Sequence, residues 1–194
     1  MTSRDNILRA IRRQLPQATP LPDRSGSWIQ YDNPLVQFAQ VLASVGGECH
    51  HVPDVAAIPQ YLQQHLVSGN RVVSGIPGLR EPNFDFNSFH PDDMADVELA
   101  VLPGVLAVAE NAAVWVETDF PAQRAACFLS QHLALVVPAS GVVHNLHEAY
   151  ERLQVGTTRF SCWISGPSKT ADIEQSLVKG AHGARTLQVF LVES

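Results

Sequence analysis

Apolar residues recur at helical spacing at Ile7, Leu8, Ile11 and Leu15 among arginines, which predicts an amphipathic helix over 5–15. From 16 to 34 the pattern breaks up around Pro16, Pro20, Pro22 and Pro34 with Gly, Ser and Asp between them, the composition of an extended arm. Asn33-Pro34 then supplies a cap and a first-turn proline for a second helix, with Leu35, Phe38, Ala39 and Leu42 on one face and Gly46-Gly47 to end it. A strand at 48–52, a helix near 54–66 and a strand around 71–74 come next, and 75–93 reads as an irregular polar stretch.

Beyond that point, short apolar runs rich in Val, Leu, Ile and aromatics lie at 95–102, 112–117, 133–137, 160–164 and 187–192, as expected of strands covered on both faces. Helices at 142–153 and 171–179 are expected to separate the last three. Alternation of this kind predicts an α/β fold of three layers around a mostly parallel sheet, in which ligands bind outside the carboxyl ends of the strands. No internal repeat, low-complexity tract or charge block interrupts it.

Composition narrows the function classes. A chain of 194 residues that is 45% hydrophobic builds one substantial core rather than two. Its formal net charge of -6, with 13 Lys and Arg, provides no broad basic surface for a phosphate backbone, so nucleic acid is not an expected partner. The opening Met-Thr-Ser-Arg-Asp lacks the apolar stretch of a signal peptide, and the longest apolar runs are far too short to span a bilayer; a cytoplasmic location is expected. Cys49, Cys127 and Cys162 stand far apart with no Cys-x-x-Cys pair, so no cofactor of the iron–sulfur or structural-zinc kind is expected within this chain.

The densest chemistry lies in Ile164-Ser165-Gly166-Pro167-Ser168-Lys169-Thr170-Ala171-Asp172-Ile173-Glu174 and, after it, Gly180-Ala181-His182-Gly183. It reads as a strand, a tight turn broken by Gly166-Pro167, a helix capped by Ser168 or Thr170, and a second turn at Gly180. Lys169-Thr170 matches the end of a phosphate-binding loop, yet Ser168 and Trp163 occupy the places of its two glycines, so the loop is not of that class. A helix start beside Lys169 still suits a small carboxylate, partly offset by Asp172 and Glu174; capping alone is the competing account of these residues. Gly180 and Gly183 let the backbone turn around His182 and expose its ring, although a helix-end histidine bonding the last carbonyls fits as well.

The run Gly166 to Glu174 with Gly180 to Gly183 resembles the C-terminal signature of the lactate-utilisation protein C family, whose domain is called LUD, formerly DUF162. Val108-Ala109-Glu110-Asn111-Ala112-Ala113-Val114-Trp115 resembles a second segment of that family, with Ala112 where glycine is usual. Arg124, His132 and the stretch from Val143 to Tyr150 also look like family positions, so the resemblance covers roughly 95–194. It implies a fold similar to the sugar-phosphate isomerase and CoA-transferase superfamily. It also implies a role in oxidising L-lactate to pyruvate beside partner subunits that carry the iron–sulfur clusters.

Two classes of function remain open on these grounds. In one, the chain is a non-catalytic component of an oxidoreductase complex, with Lys169, Thr170, Asp172, His182 and Arg124 binding a small carboxylate or docking the iron–sulfur subunits. In the other it is an enzyme in its own right, isomerase-like or CoA-transferase-like. Glu110 is then the carboxylate nucleophile or base, since Glu110-Asn111 is similar to a segment in one group of CoA-transferases. The competing account of Glu110 is an ordinary paired charge. His144 and His147 stand three residues apart on one predicted helix, a spacing that permits a metal, but no third ligand is evident and a solvated face is the simpler reading. The expected organisation is an N-terminal helix and proline-rich arm over 1–34 and the LUD α/β domain over 35–194.

Overall fold

The computed structural model describes residues 2–16, 19–20, 26–66, 69–79, 86, 90–173, 176–180 and 182–193, with backbone alone at 91, 170–173 and 176–179. Two helices open the chain, α1 (Ser3–Gln14) and α2 (Pro34–Ser44). Thr2 and Asp5 form a reciprocal capping box on α1, but the helix buries no residue, and Ile7, Ile11 and Leu15 remain exposed. Asn33 caps α2 by accepting from the Leu35 and Val36 N–H groups, and Phe38 and Leu42 on its inner face are fully buried.

Five parallel strands make the central sheet: β1 (Glu48–Val52), β2 (Arg71–Ser74), β3 (Val97–Pro103), β6 (His132–Pro138) and β11 (Thr186–Val192), in the order β1-β11-β6-β3-β2. Period-two alternation divides its side chains between two cores. Leu133, Leu135 and Val137 of β6 pack with Leu187, Val189 and Leu191 of β11 on one face. There they meet Phe38 and Leu42 of α2 and Ala122, Ala126 and Cys127 of α3 (Pro121–Leu129). Ala134, Val136, Phe190 and Val192 face the other way, against Ile58 and Leu62. The expected mostly parallel sheet with both faces covered is therefore the architecture found.

A second sheet grows from the carboxyl end of β3. At Gly104 the chain turns into β4 (Leu106–Val108), since a Cβ at this glycine would stand 2.6 Å from Val114 and 2.8 Å from Val137. β4 pairs antiparallel with β5 (Ala113–Thr118) and parallel with β7 (Val142–Val143), and β5 pairs antiparallel with β8 (Phe160–Ile164).

Four local expectations change. Residues 54–66 form a short 3-10 segment, Val55–Gln60, succeeded by turns, because Pro59 withholds an N–H and clashes with a regular helix. The expected helix over 142–153 begins only at Leu146, as α4 (Leu146–Arg152), because Val142–Val143 is drawn into a strand and Asn145 caps the helix. Residues 121–129, outside every predicted element, form α3 with Pro121 at its first turn. Most consequential, 171–179 is not a helix. Lys169–Ile173 (β9) and Ser176–Lys179 (β10) pair antiparallel as a separate two-stranded sheet.

Candidate functional site

The Glu110 turn links β4 to β5 and is held from several sides. The Ala109 N–H donates to the Val143 carbonyl at 2.8 Å, and the Glu110 N–H donates to the His144 carbonyl at 3.1 Å. Asn111 Oδ1 accepts from the Ala113 N–H at 3.1 Å, closing a local turn, and Ala112 adopts a left-handed φ of 54° while fully buried. The backbone thus takes at alanine the conformation that glycine would reach freely, at a cost of about 1 kcal/mol. The Glu110 carboxylate is exposed and accepts from the Leu146 N–H at 3.2 Å, one of the free donors at the start of α4.

Histidines 144 and 147 are occupied in the same neighbourhood. The Tyr31 N–H donates to His144 Nδ1 at 3.0 Å, and Trp28 stacks on His147 with ring centroids 3.5 Å apart. Asn145 is 2% exposed; its Oδ1 accepts from the Glu148 N–H at 3.0 Å and its amide donates to the Ile29 carbonyl at 2.9 Å. These contacts fasten residues 28–31 to the start of α4; His147 is exposed, as a solvated face expects, whereas His144 precedes the helix and is half-buried.

A different arrangement surrounds Lys169 and His182. A cavity of ≈ 300 Å³ opens between the end of α3, the end of β8 and the loop before β11. Its apolar floor includes Cys127, Leu133 and Leu187, and its lip carries Ser165, Lys169 and His182. The Ser168 N–H donates to the Ala184 carbonyl at 2.9 Å, and the Gly180 N–H donates to the Ser168 carbonyl at 3.1 Å, so the two halves of the motif are stitched into one rim. Gly180 has a φ of 75° and closes the foot of the hairpin rather than ending a helix. Among the described residues the Lys169 ammonium and the His182 ring have no hydrogen-bond or ion-pair partner, and both side chains are exposed. No carboxylate stands among the described lining residues.

Lys169 and His182 therefore share a site, while Glu110 and Arg124 lie outside its lining. Glu110 belongs to the start of α4; the Ser165 hydroxyl ties its turn to the motif by donating to the Asn111 carbonyl at 2.8 Å. Arg124 projects from α3 over the Phe160 ring, 4.8 Å from its centroid. Thr170 lies in β9 opposite Val178, and Asp172 lies further along the same strand. The expectation of an anion at a helix start after Lys169 falls with that helix, because the ladder from Lys169 to Lys179 uses the backbone groups such a start would present. His132 lies at the start of β6 on the face opposite Leu133.

The three cysteines are free. Burial pushes the Cys127 thiol up to about 12, with Cys162 adding to the shift, and pushes Cys49 up to about 11. Burial also raises Cys162, with Arg124 partly opposing. Each is held as a thiol at neutral pH, poorly suited to nucleophilic attack.

Comparison with known proteins places this geometry among relatives. A family model described as LUD domain matches residues 93–192. Lactate utilization protein C of Deinococcus radiodurans is 30% identical over 202 residues, spanning 96% of this chain and 92% of that protein. Lactate utilization protein C of Geobacillus thermodenitrificans is 34% identical over 84 residues, 40% of this chain and 35% of that protein. The crystal structure of a DUF162 family protein from Deinococcus radiodurans shares the fold, with a TM-score of 0.60 at 21% identity over 82% of this chain and 96% of that one.

Proposed function

The chain belongs to the LUD domain family, and from that membership we propose that it is a component of lactate utilisation whose cavity beneath Lys169 and His182 binds a small 2-hydroxy or 2-oxo carboxylate. The observation that carries this reading is the pairing at one lip of an exposed ammonium and an imidazole, neither with a partner among the described residues, with a serine hydroxyl in the same lining and an apolar floor below. A carboxylate takes a charge-assisted hydrogen bond from Lys169, a substrate hydroxyl donates to the Ser165 oxygen or an oxo group accepts from His182, and the methyl group rests on Leu133 and Leu187. A volume of ≈ 300 Å³ is at the small end for ligand cavities, which suits an acid of this size.

Oxidation of lactate to pyruvate releases two electrons and two protons. Three separated thiols, of which Cys127 is buried and Cys49 and Cys162 half-buried, supply no ligand set for a cluster, so the electrons pass to iron–sulfur clusters on partner subunits and this chain holds the substrate. Isothermal titration with L-lactate and with pyruvate, on the chain alone and on the assembly it co-purifies with, tests the reading. Saturable binding that weakens in Lys169→Ala supports it. Absence of binding of either acid in both preparations rejects it.

A further inference from the structure

On the opposite face of the central sheet from this cavity, we propose a binding site for a zinc-class divalent cation formed by His65, Glu98 and His132. It is independent of the lactate reading. These residues lie far apart in sequence, yet one ligand atom from each lies within 4.8 Å of the other two. His132 Nε2 stands 3.5 Å and His65 Nδ1 stands 3.9 Å from Glu98 Oε1. Both separations are too long for a hydrogen bond from imidazole to carboxylate, so direct pairing is a poor account of why the three converge. A tetrahedral zinc with bonds of 2.0–2.1 Å sets its ligand atoms about 3.3 Å apart, so the Glu98–His132 edge is already close to that spacing. His65 lies outside the sheet, in the turns after the 3-10 segment, and can move in by about 1 Å to complete it.

Two features of the strands prepare the site. Along β3, Val97 pairs with Arg71 and Leu99 with Val72, so Glu98 is the extra residue of a bulge. A bulge re-aims its side chain, and here it turns a carboxylate toward the face that carries His132. On β11, Thr186 is the register partner of His132, and its Oγ1 lies 2.7 Å from His132 Nδ1. An Nδ1–H donating to that hydroxyl leaves the Nε2 lone pair directed at Glu98, as an imidazole ligand requires. The Gln64 amide nitrogen lies 3.1 Å from His65 Nε2; metal binding through Nδ1 requires that amide to turn its oxygen to the ring and accept from Nε2–H. His65 is 8% exposed, whereas the Glu98 side chain is 34% exposed, so the fourth position faces solvent and suits water. Burial, then His65 and Arg185, lower the His132 pKa from its ordinary value, with Glu98 opposing. Arg185 is the neighbouring charge that opposes a cation.

The test is isothermal titration of the metal-free full chain with zinc, paired with the visible absorption of cobalt(II) in the same protein. A single tight equivalent and tetrahedral cobalt bands are expected, both lost in Glu98→Gln and in His132→Asn. Thr186→Val should weaken the site about tenfold by releasing the His132 ring. Matched thermal melts without metal show that each variant folds. The proposal is overturned if the wild-type chain binds no zinc, if binding survives Glu98→Gln and His132→Asn, or if it is abolished instead by His50→Ala or His51→Ala on β1.

Discussion

The Glu110 turn and the Lys169–His182 lip both carry family-like motifs, and they use their polar groups in opposite ways. In the turn, the carboxylate of Glu110, the amide of Asn111 and the backbone of 109–110 are satisfied within the fold. In the lip, backbone groups stitch the rim together while the Lys169 and His182 side chains are left to solvent. A polar residue that closes a backbone valence is read by stability, and one left over after the backbone is satisfied is read by binding. A specific motif therefore does not by itself identify chemistry. The destination of its side-chain hydrogen bonds does.

The largest expected effect is on the turn side. Asn145→Ala removes the cap on Glu148 and leaves the Ile29 carbonyl without its donor, at a site that is 2% exposed. A loss of about 2 kcal/mol in urea unfolding is expected, combining a lost helix cap with a lost buried hydrogen bond. Ligand affinity should be unchanged, because the cavity lies elsewhere. An equal loss of carboxylate binding would erase the distinction between the two regions.

Lys169→Ala tests the lip. Carboxylate affinity should fall about tenfold, the scale of one charge-assisted hydrogen bond, while stability stays within about 0.5 kcal/mol because the side chain is exposed. Titration calorimetry and urea melts on the same samples separate the two quantities. A stability loss without an affinity loss would move Lys169 to the structural side.

Glu110→Gln is milder. The amide keeps an acceptor for the Leu146 N–H and gives up only the interaction of a charge with the start of α4, about 0.5 kcal/mol. Carboxylate binding should be indistinguishable from wild type, and incubation with an acyl-CoA should form no acyl adduct on either protein. A covalent adduct at Glu110 in the wild type that is absent from the variant would restore the nucleophile reading.

Much of the frame was legible because its signal is local. The runs at 133–137 and 187–192 are apolar on both faces, as only a sheet covered twice requires, and Asn33-Pro34 with Gly46-Gly47 bracketed α2. The 171–179 segment misled because Asp172 and Glu174 resemble a first helical turn, whereas pairing between Lys169 and Lys179 overrides local preference. The α3 helix had a readable start in Pro121 and alanines at 122 and 126, one face of a helix that packs on the sheet. Lys169 and His182 were legible as a pair because their motif returns on itself within a few residues. Cys127 and Leu133, the floor beneath them, come from other elements and meet only through the fold. The Glu98–His132 contact depends on a bulge, which residue types alone do not announce.

The two regions also use the left-handed conformation differently, at Gly180 and at Ala112, where the effect depends on the residue introduced. Gly180 occupies it at the foot of the hairpin with glycine's freedom, whereas Ala112 occupies it in the core with a φ of 54°. Ala112→Gly relieves about 1 kcal/mol of backbone strain. It also removes a fully buried methyl worth about 0.8 kcal/mol and adds up to about 1 kcal/mol of unfolded-state entropy. These terms nearly cancel, so the variant should lie slightly below wild type, by less than about 1 kcal/mol. Ala112→Val, which sets a β-branched side chain at positive φ in the same packed site, should lose about 2 kcal/mol or more. Paired urea melts distinguish the cases. A valine variant as stable as the glycine variant would mean that the turn opens at no cost, and that its internal hydrogen bonds do not hold Glu110 in place.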